Sequence, residues 1–364
     1  MDAKLFSNKT FNLSGTLLLS ILAAVLSVAA IIFDWMAGNS SNPGGSLAIP
    51  MLFCAVAVAA LGYWVVPMLQ WLKTGQVIRE DGPKRHLKKA GTPTMGGIFF
   101  IPVGLLAAVV WSGFSGEAIA ACALTLAYAT IGWLDDWQIL RRKSNKGISP
   151  KMKLALLIGF GLLFCLWLAL TGGENITSIA LPFGLTLPLG FMFWPLAGFV
   201  LVAQSNSTNL TDGLDGLMGG TGAIAFLGLG AIVASTSIPL AIFCACMSGS
   251  CLGFLAHNRN PARVFMGDTG SLALGGALAA VALLSNSLWS LFIISGIFFV
   301  EAVSVMAQVG YYKATKGPDG IGKRLLKMAP MHHHLELSGW SEITIVAVFY
   351  SINCLLVWLA FLLR

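Results

Sequence analysis

EAIAACALTLAYATIGWLDDWQILRRK, residues 117–143, reads in three parts. The run 117–134 is almost uncharged and close to the ~20 residues that a ~30 Å hydrocarbon core requires of a helix. Asp135 and Asp136 follow at once, and Arg141, Arg142 and Lys143 come just behind them. An apolar run, then acids, then bases is the pattern of a span that delivers its carboxylates to one membrane face.

The pattern recurs from end to end. The chain has 364 residues, 57% of them hydrophobic and only 10% charged, whereas a soluble domain carries about 25% charged residues. The mean hydropathy of +0.82 agrees. We therefore expect an all-α polytopic membrane protein, since helices satisfy their backbone internally in lipid. Eleven spans are predicted, over 15–35, 47–70, 95–113, 117–134, 153–172, 190–206, 215–235, 238–256, 269–285, 288–312 and 341–362. The first is as long as a full span and shows no small-residue cleavage site, so it reads as a span rather than a cleaved signal. The stretch 173–189 is too polar and broken to cross, and reads as a loop with a small hairpin. The seven cysteines all fall inside apolar runs, with no CxxC pair; they read as small buried hydrophobes. No repeat of 20–50 residues is visible.

Basic residues orient the bundle. Nineteen of the 22 Lys and Arg lie in 73–89, 141–153, 259–263 and 313–327. By span order these four stretches share one side, which the positive-inside rule makes cytoplasmic. The opposite loops 113–117, 173–189, 235–238 and 285–288 hold none. The expected topology is N-terminus in, C-terminus out. The net charge of +7 is thereby localised, and no nucleic-acid partner is needed to explain it.

Five aspartates then emerge on that face: Asp135, Asp136, Asp212, Asp215 and Asp268. Adjacent acids at the partly negative end of a helix need a cation or bases to offset them. Arg141 and Arg142 balancing a solvated helix end is the plain alternative. In Asn209-Leu-Thr-Asp212-Gly-Leu-Asp215-Gly, spacings of three put Asn209, Asp212 and Asp215 on one face of a helix. Capping accounts for one such polar group, not all of them. Asp268 in FMGDTGS, residues 265–271, opens a helix; it serves equally as an N-cap or beside a phosphate. Asp oxygens without nearby Cys favour Mg²⁺ over zinc. Met331-His332-His333-His334 reads as phosphate or sugar contacts in a loop. GTPTMGG, 91–97, with Lys88 and Lys89 before it, is a turn or an anion site. Glu301 and Gln308 are polar groups within a span, where functional and structural readings compete.

Taken together, DGPKRHLKKAGTPTMGG, LDDW, NSTNLTDGLDGL, HNRNPARVFMGDTGSL and KMAPMHHHLELSGW resemble the phospho-N-acetylmuramoyl-pentapeptide transferases (MraY translocases). This is a branch of the polyprenyl-phosphate N-acetylhexosamine-1-phosphate transferases. The resemblance runs in order from about Gln76 to Trp340 and into the last span. It implies transfer of phospho-MurNAc-pentapeptide from UDP-MurNAc-pentapeptide to undecaprenyl phosphate, giving lipid I and UMP with Mg²⁺. It also implies a homodimer in the bacterial plasma membrane with a cytoplasmic active site. The family's metal ligand corresponds to Asp268, with Asp212 a second candidate. Asp135 and Asp136 match its paired acids, the first a proposed base, and His333 joins them and Asp268 as catalytic. Uridine contacts carry over to Lys89, Gly213, Leu214, Asp215, Asn258 and Phe265. Thr94, Lys143, Lys151, Asn209, Asp212, Gln308, His332 and His334 match polar groups around the diphosphate and sugar.

Two departures stand out. The family has ten spans, so residues 1–45 would be an extra span and linker ahead of a transferase core, 46–364. Ile139 also stands where relatives can have Lys. Rival readings are a UDP-GlcNAc-using enzyme of the same superfamily and a transporter. A transporter's acids belong at mid-membrane rather than at span ends. A CDP-alcohol phosphotransferase needs DGxxAR, which Asp212-Gly-Leu-Asp215 lacks.

Overall fold

The computed structural model describes residues 13–38, 44–72, 89, 91–142, 147–173 and 176–364. Among these, thirteen α-helices account for nearly all regular structure. They are α1 (Gly15–Met36), α2 (Ala48–Trp71), α3 (Gly97–Trp111), α4 (Gly116–Arg142), α5 (Pro150–Thr171), α6 (Phe193–Thr211) and α7 (Leu217–Val233). Then come α8 (Ile238–Asn258), α9 (Gly267–Leu284), α10 (Leu288–Ile294), α11 (Gly296–Ala314), α12 (Met331–Leu337) and α13 (Glu342–Leu362). The exceptions are two short 3₁₀ turns, Pro182–Gly184 and Gly190–Met192, and the expected hairpin: β1 (Ser178–Ala180) pairs antiparallel with β2 (Thr186–Pro188), Ile179 opposite Leu187.

Burial sorts the helices into an inner group and an outer ring. Every residue of α7 is buried, and almost every residue of α8 and α9. A helix apolar all round belongs inside. By contrast α1 buries Leu22, Leu26, Ala30 and Asp34, a single stripe at intervals of four, and α2 leaves Trp64 and Trp71 exposed. Such apolar exposure suits a lipid surround. The inner helices carry the outer ones: α4 and α6 pack on α9, α2 and α3 on α8, and α13 on α7.

Asp34, near the end of α1, is buried and meets three donors. Its Oδ2 accepts from Ser46 Oγ at 2.6 Å and from the Ala48 N–H at 3.1 Å, and its Oδ1 from the Leu47 N–H at 2.7 Å. It thereby caps α2 from the neighbouring helix, satisfying amides that a helix start leaves unpaired.

Each predicted span corresponds to helix, but fewer are long and apolar enough to cross alone. Seven pass among the described residues, or eight if α10 and α11 form one broken span, bent by 69°. The reasons are local. Helices α3 and α7 are short, α6 ends in the polar run QSNSTNLT, and 288–312 breaks at Ser295. The run 117–134 also does not end at Leu134: α4 continues to Arg142. Asp135 and Asp136 therefore lie two turns inside a helix, not at its terminus.

Candidate active site

Successive residues on a helix point about 100° apart, so Asp135 and Asp136 face different neighbours. Asp136 faces α9. Its Oδ1 accepts the Asp268 N–H at 3.1 Å, and its Oδ2 accepts the Thr269 N–H at 3.0 Å and the Thr269 hydroxyl at 2.6 Å. It caps the start of α9 across the interface, where a negative charge also suits the helix dipole. Asp135 turns toward α5. Its Oδ1 accepts the Ile148 N–H at 2.8 Å, and its Oδ2 lies 3.8 Å from Lys153 Nζ.

Asp268 stands at the centre of this first cluster. Lys153 Nζ pairs with its Oδ2, and Asn209 Nδ2 donates to its Oδ1 at 2.8 Å and to Ser271 Oγ at 2.9 Å. Its side chain keeps 25% of its surface accessible, against 11% for Asp135. Four helices thus converge: α4 brings Asp135 and Asp136, α5 Lys153, α6 Asn209 and α9 Asp268. The 91–97 segment closes one side. Phe265 N–H donates to Pro93 O at 2.8 Å, and the Gly96 N–H to Phe265 O at 2.9 Å, fixing Thr94 and Phe265 beside the start of α9.

The Asn209–Asp212–Asp215 motif does not form one helical face. Helix α6 stops at Thr211, Asp212 caps it with ψ 54°, and α7 begins only at Leu217 after Gly216 at φ +81°. The break separates the three residues. Asn209 joins Asp268. Asp215 enters a second cluster: its Oδ1 pairs with Lys89 Nζ at 2.7 Å, and its Oδ2 accepts from Asn260 Nδ2 at 3.1 Å and the Ala262 N–H at 3.0 Å. Glu342, at the start of α13, completes it, pairing with Lys89 at 2.6 Å and accepting the Asp215 N–H at 2.7 Å. Burial opposes the charge on Lys89, but the Glu342 and Asp215 carboxylates outweigh it and hold its pKa above the ordinary lysine value. Asn258 braces the same region, accepting the Gly216 N–H at 3.0 Å and donating to Val264 O at 2.9 Å. Leu214 is buried beside it.

Asp212 joins neither network. It is half-buried, and no hydrogen bond or ion pair holds its carboxyl among the described residues. Burial, then the charges of Asp268, Asp136 and Asp215, push its pKa up to about 8.

The histidine run forms α12. His332 is fully buried against Glu301, His333 Nδ1 lies 3.4 Å from Glu336 Oε2, and His334 Nδ1 accepts the Lys327 N–H at 3.1 Å. Gln308 is spent on the chain itself, its Oε1 accepting the Leu325 and Leu326 N–H groups at 3.1 and 2.8 Å. Lys151 is exposed; Lys153, two residues on and so about 200° around the helix, makes the ion pair instead. Lys143 lies outside the described residues. Sequence reasoning missed Lys153, Asn260 and Glu342 as site groups. Lys153 alone carried a signal, as the lysine that opens the predicted span 153–172.

The donor set bears on magnesium. Among the described residues no three His, Cys, Asp or Glu side chains gather to cage a metal. Mg²⁺ does not need a cage, since it takes one or two carboxylates and completes its shell with water and substrate phosphates. Asp268, partly accessible, and Asp212, without a partner, fit that mode.

Comparison with known proteins agrees with this geometry. A model described as glycosyl transferase family 4 matches residues 118–286, which include Asp135, Asp136, Asn209 and Asp268. A phospho-N-acetylmuramoyl-pentapeptide-transferase signature matches residues 89–101. The protein of that name from Nostoc sp. (strain PCC 7120) is 71% identical over 357 residues, covering 98% of this chain and 97% of its own. That of Trichormus variabilis is 70% identical with the same coverage, and that of Gloeothece citriformis is 64% identical over the whole of both chains. On this similarity, carried across the clusters just described, the chain belongs to the phospho-N-acetylmuramoyl-pentapeptide-transferase family.

Proposed function

We propose that this protein transfers phospho-N-acetylmuramoyl-pentapeptide from its uridine diphosphate to undecaprenyl phosphate, forming lipid I and releasing UMP. The observation that carries the chemistry is the Asp135–Lys153–Asp268–Asn209 network, which sets a base, a cation and a metal-capable carboxylate where four helices converge.

In this reading an oxygen of the lipid phosphate attacks the β-phosphorus of the donor, and the bond to the bridging oxygen breaks so that UMP leaves. Asp135 is the better-disposed base of the pair. Only its Oδ1 accepts a backbone N–H, whereas both oxygens of Asp136 are committed to the start of α9. Lys153, shared by Asp268 and Asp135, offers positive charge to the equatorial oxygens of the transferring phosphoryl group. Mg²⁺ held by Asp268 and Asp212 would supply Lewis-acid neutralisation of the diphosphate. The Lys89–Asp215–Glu342 cluster and its Asn258 brace form the uridine end, with Phe265 alongside; His333 and His334 serve the sugar side.

We further assign eleven spans, N-terminus in and C-terminus out, with the site on the cytoplasmic face of a bacterial plasma membrane and the protein a homodimer. The concentration of bases on the side of the acids supports that orientation. The deciding assay supplies detergent-purified protein with undecaprenyl phosphate and either UDP-MurNAc-pentapeptide or UDP-GlcNAc. Release of UMP with the first donor alone is expected, and turnover of UDP-GlcNAc would move the protein to the neighbouring branch. Exchange of UMP into the donor without lipid acceptor would replace direct attack by a two-step route through an enzyme carboxylate.

A further inference from the structure

Glu301 is fully buried in α11, in the second turn past the bend from α10. A carboxylate within a membrane-embedded segment is costly unless partnered. Both of its oxygens go to a single residue. Oε1 accepts the main-chain N–H of His332 at 3.2 Å, and Oε2 meets Nδ1 of the same ring at 3.0 Å. The carboxylate thus fixes Nδ1 as the N–H side of the imidazole. The other nitrogen, Nε2, is buried with no hydrogen-bond partner among the described residues. It faces the turn that follows α6: a Cβ on Gly213 would lie 2.1 Å from Nε2, so the ring fills the space any side chain there would need.

Three elements therefore meet on one imidazole: α11 through Glu301, α12 through His332 itself, and the Asp212–Gly213 turn. No hydrogen bond or ion pair among the described residues holds the Asp212 carboxyl, so its place is set by the main chain, and the main chain there rests on the ring. We propose that Glu301 is a positioning residue of the transfer reaction, acting through His332 to set the Asp212–Gly213 turn toward Asp268. This rests on the transferase reading. It adds to that reading a residue in a membrane-embedded helix that itself touches no reacting atom.

Full-length Glu301→Gln, His332→Gln and the double variant test it by steady-state kinetics with the nucleotide donor. Losing a group that orients an active residue costs about 10–100-fold in metal sites, and a fall in kcat of that order is expected for Glu301→Gln. Its KM for the donor stays within about twofold of wild type, because the uridine-end cluster is built from other residues. The double variant loses no more than the worse single one, since both cut the same chain of contacts. Wild-type kcat in Glu301→Gln, a rise in KM alone, or losses that multiply would each overturn the inference. If Glu301→Gln unfolds early in a thermal melt, Glu301→Asp replaces it, keeping the charge but drawing it back from the ring. Reduced kcat in that variant upholds the role, and full kcat refutes it. A wild-type protein inactive on this donor refutes the transferase reading itself, which is a different result from an active wild type with an equally active Glu301→Gln.

Discussion

Asp135 and Asp136 are adjacent in sequence yet divided in role by the helical twist between them. Asp136 offers both oxygens to donors at the start of α9. Asp136→Asn places an amide where an acceptor is needed and leaves a buried donor unsatisfied, which costs about 1–3 kcal/mol. Asp135→Asn disturbs one backbone bond, a long 3.8 Å ion contact to Lys153 and the proposed proton acceptor. We expect Asp135→Asn to abolish turnover with little change in melting temperature, and Asp136→Asn to lower both. Turnover assays and thermal melts on the two variants separate these outcomes; an active Asp135→Asn enzyme would sink the base assignment. Asp212 gives a pH signature. Its folded pKa of about 8 lies above the carboxylate's ordinary 3.8, so between those values the folded state binds the extra proton and loses stability as pH rises. In magnesium-free buffer the wild type should melt earlier at the alkaline end of that window than at the acid end. Asp212→Asn should flatten the trend; an unchanged slope would remove Asp212 as its source. The acids themselves were legible because charge is so sparse in this chain. Their partition was not, because the length of α4 and the break after Thr211 decide which way each carboxylate points.

At the scale of elements, α1 bears directly on the proposed uridine end. Gly15 opens the helix against the loop that follows α8, where a Cβ would lie 2.1 Å from Asn260 O. Arg259 Nε donates to Thr16 Oγ1 at 3.0 Å, and Asn260 Nδ2 in turn donates to Asp215 and to Glu342 Oε2, the latter at 3.0 Å. Overpacking such a contact costs about 1–3 kcal/mol. We therefore expect Gly15→Val to melt earlier and to bind UMP more weakly than wild type, as read by calorimetry. Undiminished UMP affinity in a destabilised variant would confine α1 to a structural part. The existence of the long helices could be read from apolar run length, and their ends could not; α12, in the histidine run read as a loop, had no such signal. The 69° break at Ser295 left no proline in 288–312 to announce it, and the second cluster joins Lys89 to Glu342 across 253 residues of chain, a separation no local pattern reveals.

For the molecule as a whole, protein groups hold Asp268, while Asp212 has no hydrogen bond or ion pair among the described residues. Lys153 and Asn209 already satisfy Asp268. A chelator should thus stop turnover and lower the melting temperature only by the small amount that ion binding to the folded state adds. A large fall, or loss of cooperative melting, would mean that the ion is part of the fold as well as of the chemistry. The cap that Asp34 places on α2 has a consequence for biogenesis. A lone carboxylate at that depth would weigh against α1 entering the bilayer by itself. Its three donors arrive only with residues 46–48, which emerge from the ribosome after α1. The two helices should therefore integrate as a pair, with the first waiting for the second to supply the hydrogen bonds its carboxylate needs.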